Sequence, residues 1–171
     1  SADCFSDDFS APHGKPFAYS INGKTVYNFI ELASKIKDYK NKFDLKNITL
    51  KPCVSIITVY PGIRISVSSL PQGTKAVLLL LYHSATAPVE DEVLIRFLSD
   101  CAKADISVYG CSFKRIKEKY YSANVLINNG LKPLYNITME SAYAKLLLAY
   151  SQNNYLIEEV VSENLFFESA Q

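Results

Sequence analysis

The pattern of apolar and polar positions divides the chain into two styles. Residues 1 to 24 show neither helical nor strand periodicity. Asp7-Asp8, Pro12-His13-Gly14, Pro16 and Asn22-Gly23 are turn formers, so the segment reads as irregular. Val26, Phe29, Ile30, Ala33 and Ile36 then recur at helical spacing with Lys and Glu between them. That repeat predicts a helix near 25–38 with Thr25 as its N-cap. Residues 38 to 51 are polar again. From residue 52 onward, short apolar runs alternate with helical stripes. Val54 to Tyr60 is β-branched and stops at Pro61-Gly62, and Ala76 to Tyr82 is a continuous apolar run of the kind buried on both faces of a parallel sheet. Val93, Leu94, Phe97, Leu98, Cys101 and Ala102 make one helical stripe. Glu90, Asp91 and Glu92 are expected in its first turn, where the helix dipole favours acid.

Ile106 to Tyr109 predicts a short strand ending at Gly110, with Asp105 ending the helix before it. Tyr121, Val125 and Leu126 mark another helix, closed by Asn129-Gly130. Tyr143, Leu146, Leu147 and Tyr150 mark the next, capped by Thr138 and with Glu140 in its first turn. Leu156, Ile157, Val160 and Val161 mark the last. Strands alternating with helices imply βαβ units. The expected fold is α/β: a Rossmann-like layered domain over residues 52–171. Its sheet is small and mainly parallel, with about four strands, and is flanked by helices. Residues 1–51 form a linker or extension.

Composition narrows the function classes. The chain has 171 residues, is 49% apolar and 20% charged, and carries a formal net charge of +1. That is an ordinary globular balance, with no field to recruit nucleic acid or an anionic membrane. The densest basic stretch, Lys114 to Lys119, contains Glu118 and reads as a solvated surface. Cys4, Cys53, Cys101 and Cys111 form no C-x-x-C pair, and His13 and His83 have no metal-ligand spacing with them. Reduced thiols, a cytoplasmic location and no metal or cofactor are the expectations. The longest apolar run is too short to span a bilayer. The chain opens at Ser1 rather than Met, and is expected to be a piece of something longer.

Two segments invite chemistry. The first is the loop after the long apolar strand, Tyr82-His83-Ser84-Ala85-Thr86-Ala87-Pro88. Ligands of open α/β sheets bind outside the carboxyl ends of strands, and His83, Ser84 and Thr86 could hold a small polar molecule there. The plainer reading is a turn whose hydroxyls cap local backbone. The second is Val108-Tyr109-Gly110-Cys111-Ser112, also at an expected strand end. Cys111, near Lys114 and Arg115, is either an activated thiolate or, more plainly, a buried structural cysteine.

The order of segments carries more than either site. Ile57-Thr58-Val59-Tyr60-Pro61-Gly62-Ile63 resembles the strand that begins the C-terminal domain of bacterial L-asparaginases of the cytoplasmic type. Lys75 to Pro88 is similar to that family's next strand and exposed loop, and Tyr109-Gly110-Cys111 to the following strand end. Tyr121-Ser122-Ala123-Asn124, followed by Asn129 to Leu146 with its Gly130-Leu131-Lys132-Pro133 turn, is the most specific match. Ser6 to Lys15 resembles part of the family's interdomain linker. The likeness covers about residues 52 to 150.

The resemblance implies an amidohydrolase converting asparagine to aspartate and ammonia. It also implies a homodimer or homotetramer, and catalytic threonines in an N-terminal domain. The family's Thr-Gly-Gly-Thr and Thr-Asp-Thr motifs do not occur in this chain, so the chain alone is expected to be inactive. The implied role is a subunit interface and contacts to a neighbouring active site or effector, with Thr86, Ser84, His83 and Cys111 as candidates. Thr86 stands where many members have Asn. Leu80 stands where some have an arginine that accompanies the cysteine, so a charge for clamping a carboxylate is missing. The alternative is a non-catalytic asparagine-binding or dimerisation module. The related amidase subunit of archaeal tRNA-dependent amidotransferases gains no support from the near-neutral charge.

Overall fold

The computed structural model describes residues 18–27, 49–113, 120–151 and 157–163. The chain divides into two units, Ser1–Asn47 and Ile48–Gln171. Among the described residues of the first unit, β1 (Ala18–Ile21) and β2 (Lys24–Tyr27) form an antiparallel hairpin. Asn22 and Gly23 connect them with φ of 51° and 75°. Two successive left-handed residues make the turn whose twist matches paired strands. This corrects the expected helix start: Thr25 and Val26 lie on β2 because the Asn-Gly turn returns the chain as a strand. The remainder of the apolar repeat, Phe29 to Ile36, lies outside the described residues.

The second unit carries a four-stranded parallel sheet. β3 (Val54–Thr58), β4 (Ala76–Leu80), β5 (Ser107–Phe113) and β6 (Lys132–Tyr135) lie side by side in that order. Its helices are α1 (Val93–Lys103), α2 (Tyr121–Asn128), α3 (Met139–Ser151) and α4 (Ile157–Ser162). The expected layered α/β architecture is present. Three of the strands are marked by apolar runs. β6 is not, because Pro133 interrupts its pattern; Pro lacks a ladder donor and is tolerated on an edge strand, where β6 lies.

Local chemistry sets the helix ends. α1 begins at Val93, and Glu92 before it takes φ 55°. Glu90, Asp91 and Glu92 therefore precede the helix instead of filling its first turn, because the left-handed residue breaks the helical path. At the other end Asp105 takes φ 57° and the Ile106 amide donates to the Cys101 carbonyl at 2.9 Å, which stops the helix. Asn129 and Gly130 close α2, with Gly130 at φ 99°. The Thr138 hydroxyl accepts the Ser141 amide at 3.3 Å, the expected N-cap of α3. Glu140 sits in the first turn of α3, where its own amide and the Thr138 hydroxyl hold its carboxyl below the usual range.

The sheet separates two apolar layers. Val77, Leu79 and Leu81 pack with Val108 against Leu94, Phe97, Leu98 and Cys101 of α1 and with Leu126 of α2. Ala76 and Leu78 pack with Tyr109, Cys111 and Leu134 against Ala142 and Leu146 of α3. β4 feeds both layers because successive strand side chains point to opposite faces.

On β5 the alternation slips. Cys111 joins the α3 layer, but Phe113 joins the α1 layer. A register shift against β6 between Gly110 and Phe113 accounts for the change of face. The strand does not end at Gly110, as the sequence suggests, but continues to Phe113. A Cβ on Gly110 would meet Leu131 and Phe113 side-chain atoms at 3.0 Å, so glycine here serves close packing, not termination.

Candidate functional site

The loop after β4 is fixed from within. The Tyr82 amide donates to the Thr86 carbonyl at 3.0 Å, and the Ala85 amide to the Tyr82 carbonyl at 2.8 Å. Ala85 adopts φ 56°, a conformation costing about 1–2 kcal/mol for a non-glycine residue. The burial of Ala85 and Ala87 in the α1-side core offsets that cost. Anchoring these two methyls leaves His83 and Ser84 exposed and Thr86 half-buried.

The backbone, not the hydroxyls, closes this turn. Among the described residues, neither the Ser84 nor the Thr86 side chain makes a hydrogen bond, so the capping reading does not apply here. The Tyr82 hydroxyl is buried and also without a partner among the described residues. An unsatisfied buried hydroxyl costs about 1–3 kcal/mol and asks for a partner.

Cys111 lies inside β5, not beyond its end, and is buried. Its Sγ lies 3.8 Å from the Leu79 carbonyl, a weak S–H contact. Leu80 and Cys111 are register partners on adjacent strands. The structure therefore brings together the two positions that the family resemblance links, Leu80 and Cys111. The Cys111 side chain packs in the α3 layer, whereas the loop's alanines pack in the α1 layer.

A separate cleft of about 440 Å³ opens between β6, α3 and α4. Tyr109 borders it; its hydroxyl and that of Tyr150 are 3.1 Å apart, and the rings meet edge to face. Burial, then the Tyr150 hydrogen bond, pushes the Tyr109 phenol well above the ordinary tyrosine range. Lys132 Nζ stands 5.6 Å from the Tyr109 ring centroid and donates to Ser107 Oγ at 3.3 Å. Buried Lys145 donates from α3 to the carbonyl of Glu163, just beyond α4. A cation there suits the negative end of a helix.

The expected sites do not include this cleft. Its sequence signal is Lys145, which shares the helical stripe of Ala142, Leu146 and Ala149 and so points inward. Among the described residues no group of three or more His, Cys, Asp or Glu side chains is placed to hold a metal ion, and no helix is long and apolar enough to cross a membrane.

No family model and no curated protein matches the chain. Solved structures do. The chain is similar to L-asparaginase I from Vibrio cholerae, with 31% sequence identity and a TM-score of 0.58 over 72% of this chain and 39% of that one. It is also similar to the thermostable L-asparaginase from Thermococcus kodakarensis, with 18% identity and a TM-score of 0.66 over 95% of this chain and 50% of that one. At the lower identity the likeness is one of fold. The chain thus spans half or less of the length of either structure. The chain is thus an α/β domain similar in sequence and fold to about half or less of an L-asparaginase, consistent with a C-terminal domain of that kind.

Proposed function

We propose that this chain is the C-terminal domain of a cytoplasmic L-asparaginase, an amidohydrolase that converts asparagine to aspartate and ammonia. The observation that carries this reading is the 31% identity to L-asparaginase I over 72% of the chain. Catalysis belongs to an N-terminal domain that supplies the threonine motifs this sequence does not contain. The domain's own contribution is assembly into a dimer or tetramer and polar contacts at a neighbouring active site or effector site. Thr86, Ser84 and His83 carry those contacts. The unbonded hydroxyls of the loop, and the buried Tyr82 hydroxyl beneath it, support a polar partner there. Cys111 is a lesser candidate, because it is enclosed within β5 beside an uncharged Leu80.

An interface is supported by edge strand β3, where Ile56 is 44% exposed and Tyr60, just past its end, is 54% exposed. A non-catalytic asparagine-binding module remains the competing reading, favoured by the same loop. Ammonia release and calorimetry on the purified chain separate the two. The proposal expects no turnover of asparagine by the chain alone; clear turnover contradicts it. Strong asparagine binding by the chain alone favours the module.

A further inference from the structure

The cleft between β6, α3 and α4 belongs neither to the loop after β4 nor to the Leu80–Cys111 pair. Its volume of about 440 Å³ is that of a small-molecule site. Its walls have three characters. Leu134 and Ile137 are buried apolar residues, and Val161 adds a third apolar side chain. Lys132 brings a cation from β6, over the face of Tyr109. Glu158 brings an anion from α4, close enough to help raise the Tyr109 phenol's proton affinity.

The charges sort themselves by what they already do. Lys145 is committed to the Glu163 carbonyl and fastens α4. Lys132 and Glu158 form no ion pair, with each other or with any other described residue. Of the two lysines and two glutamates that line the cleft, Lys145 and Glu163 are joined to each other, which leaves Lys132, over the ring of Tyr109, and Glu158 as a cation and an anion above an apolar floor. A simple anion would meet Lys132 but be repelled by Glu158, and a simple cation would meet the reverse. A zwitterion satisfies both.

We propose that this cleft binds a small zwitterion with an apolar body, the chemical class of the apolar α-amino acids. The ligand carboxylate lies toward Lys132, its ammonium toward Glu158, and its side chain on Leu134, Ile137 and Val161. The site is distinct from the asparagine site of the proposed reaction, and ammonia release does not report on it.

Calorimetric titration of the protein with L-leucine tests it. Controls are 4-methylpentanoate, which lacks the ammonium, 3-methylbutylamine, which lacks the carboxylate, and glycine, which lacks the apolar body. L-leucine is expected to bind with Kd of about 1 mM or tighter, and each control at least about tenfold more weakly. Lys132→Gln and Glu158→Gln should each weaken L-leucine about tenfold, whereas Lys103→Gln on exposed α1 surface should leave it unchanged. Both cleft substitutions are at exposed positions, and melting curves check that the fold is kept. No heat from L-leucine at about 20 mM overturns the proposal. Equal binding of any control, or unchanged binding in Glu158→Gln, overturns it as well.

Discussion

The two faces of the sheet are built from the same strands to different ends. The α1–α2 face is a closed apolar layer, with Phe97 2% exposed and Leu94 and Leu126 wholly buried. The α3–α4 face also has an apolar layer, but it includes the paired hydroxyls of Tyr109 and Tyr150 and a lysine fastening α4. One face supplies cohesion without directional contacts. The other adds groups that must be satisfied one by one, and it alone opens into the described polar cleft. In a sheet with helices on both sides, cohesion and chemistry can be assigned to separate layers.

That contrast can be broken at its cohesive face first. Phe97→Ala is expected to cost about 3–5 kcal/mol in urea unfolding, since a large ring leaves a cavity in a tightly packed apolar layer. Alkaline unfolding probes the same layer. Burial, reinforced by Asp100, raises the Cys101 thiol from 9.0 to about 11. Its neutral form is therefore favoured in the folded state. That stability is fully present below pH 9 and is lost as pH rises toward 11, on the order of 2–3 kcal/mol. Cys101→Ala should flatten this part of the stability–pH curve.

Between the faces, Gly110→Ala is expected to cost about 1–3 kcal/mol in the same unfolding assay, because its new methyl would press on Leu131 and Phe113. The polar face should respond least. Tyr150→Phe removes the partner of the Tyr109 hydroxyl and should cost about 0.5–1.5 kcal/mol. It should also lower the pH at which Tyr109 ionises, read by ultraviolet titration, since the Tyr150 bond is one cause of the upward shift.

Much of this fold was legible in the residues. The run Ala76 to Leu80 announced a doubly buried strand, and Thr138 announced the start of α3, because these signals are local and chemical. Asn22-Gly23 was legible as a turn, but its consequence for Thr25 and Val26 was not. Val26 alone carries no period, so it looks alike at a helix start and on a four-residue hairpin arm. Gly110 misled for a related reason. Glycine marks both ends of strands and places where side chains crowd the backbone, and only the neighbours distinguish them.

The candidate site was half legible. The loop's position at a strand end followed from the βα order, but its hydroxyls being unbonded depends on backbone closure by Tyr82, Ala85 and Thr86. The cleft was hidden because Tyr109, Lys132 and Glu158 come from three elements distant in sequence.

The proposed role of this domain is to serve an asparaginase. The most direct measurement is ammonia release from asparagine by the full-length protein that contains it, beside the chain alone. Steady ammonia is expected from the full-length protein and none from the chain. A folded full-length protein that releases no ammonia from asparagine would contradict it.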